Sequence, residues 1–148
     1  MATEVAQNVK EFSEIAGLIL AKLYPSFPRP CDLDRNEIAK ALGLISDTST
    51  LPSGAVFRDV FVHTLGWLIR EGFIYSHGTL PAERDVLTTR GLAAMNAVPA
   101  TLKQPVGSEL ARVANDPPSE DRTRKFAGMI GELIGSVAGS FAKSMSSG

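Results

Sequence analysis

His63, His77 and Cys31 are the side chains of this 148-residue chain best suited to bind a metal or attack an electrophile. A zinc site needs three or four such ligands at short, regular spacings. Neither histidine has Cys31 or a carboxylate placed that way, so no metal site is expected. His63 reads as an ordinary hydrogen-bonding residue of a helix surface. Cys31 sits between Pro30 and Asp32 with no adjacent cation to make its thiol a strong nucleophile, and reads as a half-buried small residue. The stretch from Gly135 to Lys143 superficially resembles a phosphate-cradling loop. Its lysine does not follow the second glycine, Gly139, and the segment reads as helix instead of strand, loop and helix. The serines between Ser46 and Ser53 form no nucleophile elbow and have no histidine and acid in a plausible triad. No catalytic residue and no cofactor are expected, which leaves binding as the chemistry to look for.

Bulk composition narrows the partners only a little. A formal net charge of -1 gives no global attraction to nucleic acid or anionic lipid. With one cysteine no intrachain disulfide can form, and a reducing compartment suits the chain best. Met1 to Asn8 lacks the basic start and apolar run of an export signal, so a cytoplasmic location is expected.

The elements that must position a binding surface are well punctuated. From Val9 to Tyr24, apolar Val9, Phe12, Ile15, Ala16, Ile19 and Leu23 recur at helical spacing, which predicts a first helix with a core-facing stripe. Pro25, Pro28 and Pro30 then impose a stiff connector. Asp34 is a good N-cap for a second helix running to Leu42, with Glu37 placed to reach back to the cap, Leu33 to clasp Ile38, and Gly43 to close the C-terminus. After a polar segment from Ser46 to Gly54, a third helix is expected over 55–71. Its core face carries Phe57, Val60, Phe61, Thr64, Leu65 and Leu68, widened by Trp67. Gly72 ends that helix. Phe73 to Tyr75 and Arg84 to Leu87 then read as two strands of a hairpin, and a fourth helix follows from Thr89 to Asn96.

The runs Leu68-Ile69-Arg70-Glu71-Gly72-Phe73-Ile74 and Leu87-Thr88-Thr89-Arg90-Gly91 resemble the helix-end and post-wing patterns of winged helix-turn-helix transcription regulators. The likeness spans Asp34 to Met95. It implies a mainly α (α+β) winged helix-turn-helix with a two-stranded wing, here followed by an additional C-terminal helix. In such a family the third helix would be the recognition helix, and the contact residues would be Arg58, Asp59, Val62, His63 and Arg70 on that helix, with His77, Arg84 and Arg90 around the wing. Base edges and phosphates want several clustered donors. This face offers few cations, and Asp59 lies near the helix end that would enter a groove. From Val9 to Thr101 nine Lys or Arg stand against ten Asp or Glu, with Glu83 and Asp85 read as surface acids among the wing cations.

Three regions are expected: the winged helix over 1–101, a linker with a short helix over 102–118, and a glycine-rich packing or dimerisation helix over 119–148. In the last, Gly128, Gly131, Gly135 and Gly139 form one face and Leu133, Val137 and Phe141 lie on the next. Glycines inside a helix each cost about 1 kcal/mol relative to alanine, so close packing, in cis or between two chains, is the expected compensation. Glu132 and polar flanks argue against a membrane span. The reading as a whole is a non-catalytic module that contacts another protein in a regulatory, immunity-type or assembly role. The alternative is a dimeric DNA-binding regulator.

Overall fold

A computed structural model describes residues 6–80 and 82–96, together with Gly128. The elements are α1 (Gln7–Leu23), α2 (Arg35–Ala41), α3 (Phe57–Arg70), β1 (Ile74–Ser76), β2 (Asp85–Leu87) and α4 (Thr89–Asn96). Among the described residues these make a mainly helical α+β arrangement: four helices and one two-stranded antiparallel sheet, compatible with a winged helix. The expected linker over 102–118 lies outside the described residues, as do Gly131, Leu133, Gly135, Val137, Gly139 and Phe141 of the glycine-rich stretch. No described helix is long and apolar enough to cross a membrane.

The centre of the fold is α1, which packs against α2, α3, α4 and β2. Every residue from Glu14 to Ala21 is buried, so the middle of this helix is enclosed on all sides and not only along its stripe. Val9, the first member of the expected stripe, is 46% exposed because the first turn of α1 projects beyond the core.

Two acids on α1 that break its apolar run are themselves buried. Glu11 is 3% exposed; its Oε2 accepts the backbone N–H of Ser53 at 2.9 Å and its Oε1 accepts the Ser53 hydroxyl at 2.6 Å. A carboxylate is the right group here, because it accepts both donors of one serine at once and fastens the α2–α3 loop to the central helix. Glu11→Ala is expected to lower stability by about 2 kcal/mol, read as a lower urea midpoint with an unchanged slope.

The caps of α2 form as local chemistry dictates, with one correction. The Asp34 carboxylate accepts the N–H of Asn36 at 2.9 Å, Leu33 and Ile38 are both buried, and Gly43 takes φ +82° while the N–H of Leu44 bonds back to the Ala39 carbonyl at 3.0 Å. Glu37 does not reach back to the cap. Its carboxylate takes the Lys22 ammonium of α1 at 2.7 Å, since a cation in reach is a stronger partner than a neutral amide.

Helix α3 presents the anticipated face, with Phe57, Phe61, Thr64, Leu65 and Leu68 buried. Trp67 bridges two elements, edge-on to Phe12 of α1 (centroids 5.1 Å apart) and stacked on Phe73 (5.9 Å). In the sheet, Tyr75 pairs with Val86 and Ser76 with Asp85. The connector adds something its prolines do not reveal. Cys31 pairs with Asp85 through two backbone bonds of 2.9 and 2.8 Å, so β2 is held on both edges. Thr88 closes the unit: its hydroxyl accepts the N–H of Gly91 at 3.0 Å and donates to the Gly72 carbonyl, which joins the end of α3 to the start of α4.

Candidate interaction surface

The outer face of α3 carries the residues expected there. Arg58, Asp59, Val62, His63 and Arg70 are all exposed, and Val62 retains 40% of its surface. Helical rise separates Arg58 from Arg70 by about 18 Å, so the two cations mark opposite ends of the face instead of forming a patch. Asp59 adjoins the first. The guanidinium of the second folds back along the helix, with a nitrogen lying 3.6 Å from where a side chain on Gly66 would begin.

On the hairpin, His77 and Arg84 are exposed, and the His77 ring meets the 57% exposed Tyr75 at 4.7 Å. Arg90 is only half-exposed. Its guanidinium carbon lies 4.7 Å from the centre of the Phe73 ring, so part of its role is to cover the core.

Asp85 corrects the sequence reading most sharply. It is not a surface acid among the hairpin cations: it is completely buried, and neither carboxylate oxygen has a hydrogen-bond partner. Pairing of β2 on both edges encloses it, which alternation within a three-residue strand could not disclose. Burial pushes its carboxyl above the ordinary range. The nearby Ser76 hydroxyl pulls the other way, but it is directed to the Glu83 carbonyl at 3.3 Å, and the negative charge of Asp32 adds to the upward push.

The hairpin loop is anchored to the connector. The N–H of Leu33 bonds to the Ala82 carbonyl at 2.8 Å, and the N–H of Arg84 to the Asp32 carboxylate at 2.8 Å. Ala82 and Arg84 take positive φ of 72° and 52°, the backbone geometry that turns the loop over the head of α3.

Between that loop and α3 lies an open cleft of about 520 Å³. Its apolar lining comes from Leu33, Phe61, Val62, Leu80 and Ala82. The charged groups around it are the carboxylates of Asp32 and Glu83 and the guanidinium of Arg35, which also faces Asp47 at 3.7 Å. Leu80 is 61% exposed, an apolar residue standing in an otherwise polar turn. Of the contact residues expected from sequence, only Val62 belongs to this cleft. The rest of its lining was missed, and the one signal available was that stray leucine. Gly128, the one described member of the glycine face, has nothing beyond its own helix backbone and chain neighbours within 4 Å of where a side chain would start.

Among the described residues no three His, Cys, Asp or Glu side chains are grouped so as to hold a metal ion. Comparison with protein-family models, with curated proteins and with solved structures returns no match.

Proposed function

We propose that this chain is a winged-helix-type binding module that works by contacting another protein, with the outer face of α3, the hairpin and the cleft between them as its contact surface. The observation that carries this reading is the character of the cleft. Where a groove-reading winged helix needs donors, this surface offers exposed apolar Val62 and Leu80 edged by Asp32 and Glu83, with Arg35, which also faces Asp47, as the one guanidinium among the described lining residues. Exposed apolar side chains gathered at a concave site suit the core of a protein–protein contact, with charged groups at the rim. The same carboxylates oppose phosphate. A regulatory, immunity-type or assembly role fits a module of this kind, acting by binding and not by catalysis.

Salt-titrated binding to random-sequence duplex DNA tests the reading. Each phosphate neutralised by a cation adds about 0.9 to the slope of log affinity against log salt. Arg58 and Arg70 sit too far apart to act as one patch, so the expected result is binding weaker than about 10⁻⁴ M even at low salt, with a slope corresponding to no more than about two phosphates. Tight low-salt binding that falls steeply with salt would instead establish a DNA-binding regulator contacting the duplex through Arg58, His63, Arg70, Arg84 and Arg90.

A further inference from the structure

Helix α3 carries a glycine for which the described residues supply no use. Gly66 lies within the helix on its outer face, a position where glycine is less favourable than alanine. Its own helix backbone and chain neighbours aside, the only atom within 4 Å of where a side chain would begin is Nη1 of Arg70 at 3.6 Å, an ordinary contact with the end of a flexible side chain. The bare backbone leaves room that no described residue fills.

The charges of this face complement a reversed copy of themselves. Asp59 stands in the first turn and Arg70 in the last, and a spacing of 11 residues at about 100° per residue brings both onto nearly one line along the helix. His63 and Gly66 lie on that line between them. Among the described residues neither Asp59 nor Arg70 has an ion-pair partner. A second α3 laid antiparallel on the first sets Asp59 of each copy against Arg70 of the other, so one surface supplies both halves of an isologous contact. Arg58 lies about a quarter turn from the line. Asp32, Arg35 and Glu83 belong to the neighbouring cleft, which shares only Val62 with the exposed face.

We propose that two copies of this chain pair through α3, antiparallel about a twofold axis beside Gly66, with two reciprocal Asp59–Arg70 ion pairs and with Val62 of each copy covered by the other. This rests on the reading of the α3 face as a protein-binding surface and names its occupant. Val62, 40% exposed, supplies the apolar contact, and the missing side chain of Gly66 lets the two helices approach closely. Pairing covers the helix that a groove-reading winged helix would insert. One helix of 14 residues buries less than the roughly 800 Å² per partner of a standard interface, so the dimer is expected to be weak, with a Kd of about 100 µM.

Sedimentation equilibrium of the full chain at low ionic strength, over concentrations from about tenfold below to tenfold above that value, tests this. A monomer–dimer equilibrium is the expected result. Asp59→Lys and Arg70→Glu each oppose like charges in both pairs and are expected to weaken association about tenfold. An equimolar mixture of the two variants should recover it, because their heterodimer again holds two pairs of opposite charge. Gly66→Ala meets nothing closer than 3.6 Å and favours the helix, so it is expected to raise the thermal midpoint of the dilute chain by about 3 °C while weakening the dimer about tenfold. A monomer at every concentration, a dimer indifferent to both charge changes, a mixture that stays monomeric, or a Gly66→Ala variant that pairs as tightly as the parent each overturns pairing through α3. The duplex titration separates the two ideas. A monomer with negligible duplex binding overturns only the self-pairing, whereas steep salt-dependent duplex binding overturns the protein-contact reading itself.

Discussion

Asp85→Asn is expected to stabilise the protein by about 1–3 kcal/mol near neutral pH, because the amide stays neutral where burial penalises the charge of the carboxylate. The carboxylate is fully enclosed between β1 and Cys31 and accepts no hydrogen bond. Desolvation raises its pKa in the folded state, with Asp32 adding to the effect. The pH dependence follows from that sign. Below the unfolded value of 3.8 both states carry the proton and Asp85 costs the fold little. As pH rises, the unfolded chain releases its proton first, and stability is lost progressively until the folded-state pKa is passed. The amide does not titrate, so the advantage of the variant should be small in acid and grow toward neutrality. Urea unfolding of both proteins across that range measures it. A gain independent of pH, or a loss at pH 7, would show that the carboxylate has a partner in the folded protein.

A second large effect is expected at the opposite end of β2. Gly91→Ala drives a methyl group into the Phe73 carbonyl oxygen and places it 3.2 Å from the Phe73 carbonyl carbon and Leu87 Cδ2. The obstructing oxygen belongs to backbone and also accepts the Thr88 N–H at 3.1 Å, so it cannot yield without breaking the entry to α4. We expect a loss of about 3 kcal/mol, at the upper end for overpacking. For a protein of this size that lowers the thermal midpoint by roughly 10 °C, measurable by circular dichroism. A loss under 1 kcal/mol would mean that α4 is free to shift away from the hairpin. This contact also explains why glycine stands third after Thr88. Thr88 must cap α4 while bonding Gly72, which brings the first turn of the helix onto the chain leaving α3.

How much of this was legible in advance differs from residue to residue. Gly91 was visible as part of a pattern, though the atom that excludes a side chain was not. Asp34, Leu33 and Gly43 were read correctly because a cap depends on groups within a few residues of each other. The same reasoning misassigned Glu37, since Lys22 lies 15 positions away and only the packing of α2 on α1 brings it near. Glu11 breaks the apolar run of α1, yet it is buried, because Ser53, 42 positions later, supplies two donors beside the one from Gln7. In the candidate site the exposed face of α3 followed from the phase of its apolar residues. The cleft did not, because the connector, α3 and the hairpin loop each contribute only part of its lining.

By itself the sequence determined where helices begin and end, which side of α3 faces inward, and that a hairpin separates α3 from α4. All of these depend on i to i+4 spacing, proline and glycine geometry, and capping groups close by along the chain. The tertiary structure decided which charges leave water. Asp85 is buried because Cys31, 54 positions earlier in the chain, closes the edge of the strand position that Ser76 of the hairpin already flanks on the other side. Desolvation is a property of everything packed around a group, and no local pattern encodes it.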